Sequence, residues 1–350
     1  MNGQALPDFH LLRMNIMASR GAARWRHAVA LAAVVLAAAS AAAAEPLRLE
    51  AKIPLGSVAG RIDHMAVDLA RRRLFVAELG NDSVGVVDLD ARKVVHVIAG
   101  LKNPQGVALV PAQDTLYVAN ARDGSVRIFR GAEYADAGRI DLGDDADNIR
   151  VDALTNRVYV GYGGGALALI DPAIARKIAD VPLPAHPESF QLDHKRNLIY
   201  VNLPDARAIA VADPESKQVT RWPMHVGSAN FAMALREDAE QVIAVFRRPA
   251  RLGVFAMVDG AQVAAPESCG DADDVFHDAK RRRVYVSCGE GFVDVFDDDG
   301  YRRIAHIRTV AGARTALFVP EIDRLLLAVR ANGREPAGIW VFRPNDSQGH

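Results

Sequence analysis

A short apolar segment recurs at an almost constant spacing along most of the chain, and no other feature of the sequence constrains the fold as strongly. Its seven copies lie at residues 74–77, 116–120, 158–161, 199–202, 242–245, 284–287 and 325–328. From the second residue of one copy to that of the next, the steps are 42, 42, 41, 43, 42 and 41 residues. A fixed period of this length indicates a repeat architecture in which each repeat is one supersecondary unit. We therefore predict seven equivalent units.

Each unit divides into four short strands. In the first unit an apolar run at residues 65–67 leads through a polar turn into the recurring segment, and a third strand ends at Asp88. A fourth, outer strand closes each unit, as at residues 138–142 of the second. Short β-branched and aromatic runs bounded by turn residues are typical of strands. Four antiparallel strands repeating about every 40–45 residues form the blades of a β-propeller. The predicted fold class is therefore all-β, a seven-bladed β-propeller.

The two ends of the repeat region complement each other. The last unit has only three strands and ends near Arg343, whereas residues 47–55 read like the outer strands of the other units. We predict that this N-terminal strand completes the last blade, which closes the ring and leaves no open seam between the first and last blades. A tandem array of smaller β-domains would need linkers and separate cores, and the sequence shows neither.

One copy of the repeat resembles a known family. It reads YVAN at residues 117–120 and is preceded by PQGVAL at residues 104–109. This pattern resembles the repeat of the YVTN family of β-propellers, which includes the exported YncE-like proteins, and the resemblance covers residues 46–343. It implies the propeller fold and export. It implies no settled reaction, because propellers host binding proteins, lactonases and quinoproteins alike.

The N-terminal segment has the pattern of a secretory signal peptide. Arg20, Arg24 and Arg26 precede an apolar run at residues 28–39, and alanines follow up to residue 44. A basic flank, a short apolar stretch and a small-residue end are typical of such a peptide, and the run is shorter than the roughly 20 residues that span a bilayer. We predict a signal peptide at residues 1–44, whose translation starts at Met1, Met14 or Met17. One propeller follows at residues 45–344, and a C-terminal tail at residues 345–350.

Charge and export narrow the possible partners. Residues 1–44 hold four Arg and one Asp, so their removal changes the formal net charge from −1 to −4. A mildly acidic chain is not expected to bind nucleic acid on charge alone. We predict a periplasmic or secreted protein, with no membrane span once the signal is removed and a monomer as the default.

The only two cysteines of the chain are predicted to form a disulfide. An exported protein reaches an oxidising compartment, where disulfides persist. Cys269 lies in the loop that leads into the sixth blade, and Cys288 ends that blade's second strand. With a hairpin turn at residues 279–282, Asp273 is expected opposite Cys288, which places Cys269 on the same rim.

The starts of the innermost strands are the predicted ligand site, because they meet at the mouth of the channel. We aligned the repeats and took the residue two positions before the first apolar residue of each inner strand. These residues, called the inner ring, are Asp63, Gln105, Asp147, Glu188, Phe231, Asp273 and Arg314. The next position adds further polar residues, and a one-residue slip in the fifth unit brings in Asn230. The predicted ligand-binding residues are Asp63, His64, Gln105, Asp147, Asn148, Glu188, Asn230, Asp273, Asp274 and Arg314.

The four carboxylates of the inner ring, Asp63, Asp147, Glu188 and Asp273, are expected to form an acidic throat. Facing like charges in a partly desolvated channel raise some pKa values or attract a cation or a basic partner. Carboxylate and amide oxygens also suit a hard divalent cation such as Ca²⁺. The same residue types cap turns and bond backbone N–H groups, and this structural role is the preferred interpretation. Arginines of the same face lie in predicted loops between second and third strands, namely Arg122, Arg207, Arg247, Arg248, Arg251, Arg330 and Arg334.

Two functions follow from these features. The preferred one is a binding, recognition or scaffold protein that holds a protein, peptide or small-molecule ligand at the channel mouth, since a rigid ring with variable rim loops suits recognition. The alternative is a metal-assisted hydrolase similar to the propeller lactonases. In that alternative Glu188, Asn148 and Asp273 are the metal ligands, and His64 or Asp63 is the general base.

Overall fold

The computed structural model describes residues 45–346, and these residues form seven four-stranded antiparallel sheets arranged as the blades of a ring. In six of the sheets four consecutive strands lie side by side in chain order. The seventh combines the last three strands with the first one. The predicted fold class, a seven-bladed β-propeller of four-stranded blades, is confirmed.

The strands, numbered in chain order, begin with β1 (Leu47–Pro54). Blade one consists of β2 (Met65–Asp68), β3 (Arg73–Glu78), β4 (Ser83–Asp88) and β5 (Lys93–Ile98). Blade two consists of β6 (Pro104–Val110), β7 (Thr115–Asn120), β8 (Ser125–Arg130) and β9 (Ala135–Asp141). Blade three consists of β10 (Ala146–Val151), β11 (Val158–Tyr162), β12 (Ala166–Asp171) and β13 (Arg176–Pro182).

Blade four consists of β14 (Phe190–Asp193), β15 (Leu198–Leu203), β16 (Ala208–Ala212) and β17 (Val219–Pro223). Blade five consists of β18 (Ser228–Arg236), β19 (Gln241–Arg248), β20 (Ala250–Ala256) and β21 (Gln262–Ala264). Blade six consists of β22 (Ala272–Asp278), β23 (Arg283–Cys288), β24 (Phe292–Asp297) and β25 (Arg303–Arg308). Blade seven consists of β26 (Ala316–Val319), β27 (Arg324–Val329), β28 (Gly338–Pro344) and β1. Short 3₁₀ turns occupy Leu79–Asn81, Pro111–Gln113 and Pro320–Ile322.

The recurring apolar segment is the second strand of each blade, and it forms the core between blades. Its tyrosines Tyr117, Tyr200 and Tyr285 are fully buried. Both faces of such a strand are covered by the neighbouring blades, which is why the segment is a continuous apolar run rather than an alternating one. Phe75 of blade one, for example, belongs to the same cluster as Val107 of blade two.

The ring is closed by the N-terminal strand, as predicted. Strand β1 pairs antiparallel with β28, from Leu47 opposite Pro344 to Pro54 opposite Gly338. Ile53 of β1 is 1% exposed and packs in one cluster with Leu74 of blade one. The first strand therefore joins the last blade and also contributes to the contact with the first.

The predicted disulfide is present. Cys269 and Cys288 are bonded, with their Cα atoms 5.8 Å apart. The bond ties the segment before β22 to the end of β23, and it is consistent with an oxidising, exported environment. The expected register is off by one, because a bulge between Ala272 and Asp274 places Ala272 rather than Asp273 opposite Cys288.

The predicted signal peptide at residues 1–44 lies outside the described residues, and so do residues 347–350 of the predicted tail. Within residues 45–346, no helix has the length and apolar character needed to cross a membrane.

The closing strand offers a direct test of its contribution to stability. We expect Ile53→Asp to lower the free energy of unfolding by about 3 kcal/mol or more, because it buries an unpaired charge. Leu49→Asp, on the same strand but 41% exposed, is the matched control and should change it by no more than about 0.5 kcal/mol. Urea denaturation followed by circular dichroism measures both. Equal losses in the two variants would contradict the proposed importance of the buried face of β1.

Candidate functional site

A polar cavity of about 330 Å³ lies at the mouth of the channel, where the inner strands begin. Its walls include all seven positions of the predicted inner ring, one from each blade. The lining residues are Arg61, Asp63, His64, Gln105, Asp145, Asp147, Asn148, His186, Glu188, Ser189, Phe231, Arg247, Asp273 and Arg314. The aligned residues therefore share one cavity, and their role as a ligand site stays a prediction.

Backbone hydrogen bonds to the second strands hold the inner-ring residues in place. The N–H of Asp63 donates to the carbonyl of Ala77 at 2.8 Å, and the N–H of Glu188 donates to the carbonyl of Asn202 at 3.0 Å. Both acceptors belong to copies of the recurring apolar segment. These two inner-ring positions are thereby tied to the buried core strands beside them.

The inner strands of four blades are bulged where they reach the mouth. The pairing register shifts between Pro104 and Val107 in blade two and between Ala146 and Ile149 in blade three. Similar shifts occur at residues 230–232 in blade five and 272–274 in blade six. A bulge leaves a residue out of the ladder and re-aims its side chain. The residues left out include the inner-ring members Gln105, Asp147, Phe231 and Asp273.

Arginines neutralise part of the acidic throat. Arg61 Nη2 lies 2.7 Å from Asp63 Oδ2, and Asp273 is contacted by Arg247 at 2.5 Å and by Arg314 at 3.0 Å. The Arg247 guanidinium also stacks over the Phe231 ring, 3.7 Å from its centroid. Burial nevertheless raises the pKa of the Asp63 carboxyl above its ordinary value, against the opposing effects of His64 and Arg61.

Blades three and four line a different sector of the cavity, in which Asp147, His186 and Glu188 converge. One ligand atom from each of them lies within 4.8 Å of the other two. No arginine of the described chain forms an ion pair with Asp147 or Glu188. Burial, helped by the negative charge of Asp147, raises the pKa of Glu188 to about 8. The interaction with Asp147 raises the pKa of His186 to about 9.

Three residues of the cavity were not found from the sequence, namely Arg61, Asp145 and His186. Each precedes an inner-ring position by two residues. The repeat alignment carried two residues further upstream would therefore have included them. Asp271 occupies the corresponding place before Asp273, and it forms an ion pair with Arg314 at 2.8 Å.

The predicted residues that follow the inner ring by one position include His64, Asn148 and Asp274, and they lie next to a second cavity of the channel. The Asn148 side-chain amide is 2.9 Å from His64 Nε2, and its oxygen accepts a hydrogen bond from Arg150 at 2.6 Å. Asp274 accepts a hydrogen bond from the backbone N–H of Ala316 at 2.8 Å. His64 lines both the mouth cavity and a second channel cavity of about 470 Å³, to which Asp274 and Arg150 contribute. Burial raises the pKa of Asp274 to about 6.

Several predicted positions differ in the structure. Asn230 does not reach the cavity, because it is fully buried in blade five and donates to Asn202 Oδ1 at 2.8 Å. Phe231 takes its place at the mouth. Arg247 and Arg248 lie within β19 and Arg251 lies within β20, rather than in a loop between the two strands.

In the hydrolase alternative the predicted metal ligands are Glu188, Asn148 and Asp273, and two of these already have protein partners. The side-chain oxygen of Asn148 accepts from Arg150, and the carboxylate of Asp273 is contacted by two arginines. Of that set, only Glu188 belongs to the convergent group in blades three and four.

Comparison with known proteins supports the fold. No protein-family model matches the chain, and no curated protein sequence matches it. Among solved structures, the chain is similar to a chain of hydrazine synthase from Kuenenia stuttgartiensis, with a TM-score of 0.72 and 18% sequence identity. The match covers 80% of this chain and 94% of the other. At that identity the similarity shows a shared fold alone, and membership of the YVTN or YncE-like family stays a prediction.

Gly106 offers a test of how closely blades two and three approach at the mouth. A Cβ atom at this position would lie 2.0 Å from the backbone oxygen of Asp147. We expect Gly106→Ala to lower the free energy of unfolding by about 1–3 kcal/mol, since overpacking forces backbone shifts. Gly164→Ala, whose Cβ would meet no atom within 4 Å, is the matched control and should have a much smaller effect. Thermal unfolding of both variants measures the difference. Equal stability of the two variants would contradict the close approach of blades two and three.

Proposed function

We propose that this protein is an exported binding protein that holds a positively charged ligand at the mouth of its channel. The supporting observation is the distribution of charge in the cavity, whose lining includes five carboxylates, three arginines and two histidines. Asp63 and Asp273 have arginine partners, whereas Asp147 and Glu188 have none among the described residues. Asp147 faces His64 and His186 at 3.9 and 4.0 Å, and a cationic ligand would supply a closer counter-charge to these partly or fully buried carboxylates.

The closed ring suits such a role. Each inner strand pairs with the buried second strand of its own blade, so little conformational freedom is lost when a ligand binds. A cavity of about 330 Å³ is at the small end of ligand pockets. It has room for a small polycation, a metal ion with its water, or one Lys or Arg side chain of a peptide.

Export is part of the proposal. The disulfide between Cys269 and Cys288 supports an oxidising compartment. The basic and apolar pattern of residues 1–44 supports a secretory signal. The resemblance to YVTN propellers is in keeping with both.

A metal-assisted hydrolase is the second candidate. The observation that favours it is the convergence of Asp147, His186 and Glu188 beside His64, whose Nε2 is 3.9 Å from Asp147. An ion in that place could polarise a substrate carbonyl. Turnover of a lactone panel that depends on added metal and is lost in Glu188→Gln would favour this candidate over a pure binding role.

Isothermal titration calorimetry with spermidine and with citrate tests the charge preference. We expect spermidine to bind and citrate not to bind. We expect Glu188→Gln to weaken spermidine binding by about tenfold, a loss equivalent to about 1.4 kcal/mol. Asp144→Asn removes a negative charge from an exposed position on the same rim that does not line the cavity, and it is the matched control.

Two results would contradict the proposal. One is preferential binding of citrate. The other is spermidine binding that Glu188→Gln and Asp144→Asn weaken equally, because the ligand would then respond to general surface charge rather than to the cavity.

A further inference from the structure

We infer that Asp147, His186 and Glu188 bind a first-row divalent metal ion such as Zn²⁺ or Mn²⁺. The inference rests on the proposed function and deepens it, since it names the cation and its three ligands. It also differs from the oxygen-only Ca²⁺ set expected from the sequence.

The spacing of the donor atoms fits one ion. Two ligands of a zinc ion, each bound at about 2.0–2.2 Å, can be at most about 4.4 Å apart. Asp147 Oδ2 and His186 Nε2 are separated by 4.0 Å. All three donors lie within 4.8 Å of one another, so a small rotation of one side chain closes the set. Glu188 can make that rotation, because its side chain has no hydrogen bond or ion pair with another described residue.

His186 is held in the orientation that a metal ligand needs. Its Nδ1 lies 2.6 Å from the carbonyl oxygen of Gly163. A carbonyl oxygen only accepts, so Nδ1 carries the proton of that hydrogen bond. Binding of an ion would displace the other proton, from Nε2, and Nε2 would then present its lone pair on the side where Asp145 and Asp147 lie 3.9 and 4.0 Å away. A backbone carbonyl that fixes the tautomer in this way is a regular companion of metal-binding histidines.

Asp147 is an independent indication that the group binds a cation. The residue is only 7% exposed. Its carboxylate oxygens face His64 Nε2 at 3.9 Å and His186 Nε2 at 4.0 Å, and both distances exceed a hydrogen bond. A buried carboxylate is normally paired or bound to a metal. The gap between Asp147 and His186 is of the size that an ion would fill.

Two other histidine–carboxylate pairs of the described chain are already satisfied. His277 Nε2 lies 3.0 Å from Asp298, and Arg282 also contacts that carboxylate at 3.1 Å. His306 Nδ1 lies 2.5 Å from Asp294, which Arg303 also contacts at 3.1 Å. In contrast to these pairs, the group in blades three and four combines wide spacing with the absence of an arginine.

The donor set selects the kind of ion. Calcium takes oxygen ligands only, whereas imidazole favours transition metals, and carboxylates bind Zn²⁺ and Mn²⁺ as well. Three protein ligands on the wall of an open cavity leave a coordination position for water or for a ligand, as in sites where a metal reacts or exchanges. A bound ion would therefore face the interior of the mouth cavity.

Calorimetric titration of the chelator-treated protein with ZnCl₂, MnCl₂ and CaCl₂ tests the inference. We expect one tight Zn²⁺ or Mn²⁺ per chain and weaker binding of Ca²⁺. We expect Glu188→Gln and His186→Gln each to weaken binding of the tight ion by more than about tenfold, since losing even an indirect partner of a metal ligand costs about 10–100-fold. His194→Gln is the matched control, because His194 faces one carboxylate, Asp152, at 3.6 Å on the exposed surface.

Three outcomes would overturn the inference. They are tighter binding of Ca²⁺ than of both other ions, stoichiometric binding that neither ligand variant weakens, and no metal binding at all. Thermal unfolding of the metal-free variants shows that they are folded. If spermidine still binds in a Glu188-dependent way while no metal binds, the metal inference fails and the proposed cation-binding function stands. If neither spermidine nor a metal binds, both fail.

Discussion

The pairing of β1 with β28 is the interaction on which the rest of the structure depends. It joins residues almost 300 positions apart in sequence, from Leu47 opposite Pro344 to Pro54 opposite Gly338. Without it the last blade would lack its outer strand, and the first and last blades would lose the packing that Ile53 provides between them. A closed ring holds seven inner strands around one axis, and the mouth cavity exists only because their starting residues face one another.

The repeat places the seven inner-ring residues at equivalent backbone positions around the mouth. Their side chains differ in charge, and this difference separates the cavity into sectors. Blades five, six and seven contribute Arg247, Arg314, Asp271 and Asp273, two arginines and two aspartates that neutralise one another. Blades three and four contribute Asp147 and Glu188, whose charges no arginine of the described chain balances. The raised pKa of Glu188, about 8, expresses the cost of that imbalance, because burial and the neighbouring negative charge both disfavour the ionised form.

The bulges determine which residue at the start of an inner strand faces the mouth. The repeat alignment gives all seven inner-ring residues that line the cavity, including Phe231, whereas the one-residue slip in the fifth unit gives Asn230, which is buried elsewhere. A bulge adds one residue to a strand and shifts everything before it by one. For this reason Asn230 is buried inside blade five while Phe231 reaches the cavity, and Ala272 rather than Asp273 lies opposite Cys288.

The sequence by itself determined the number of blades, the strands within them, the closure of the ring and the residues that begin each inner strand. These features follow from a local pattern that recurs seven times, and equivalent residues can be identified by aligning its copies with one another. Only the tertiary structure decided which charges meet at the mouth. Asp147 faces His186 at 4.0 Å and His64 at 3.9 Å, although the latter lies in another blade more than 80 residues away. Such distances depend on the width of the channel and on side-chain rotation across it, and no local pattern encodes either of them.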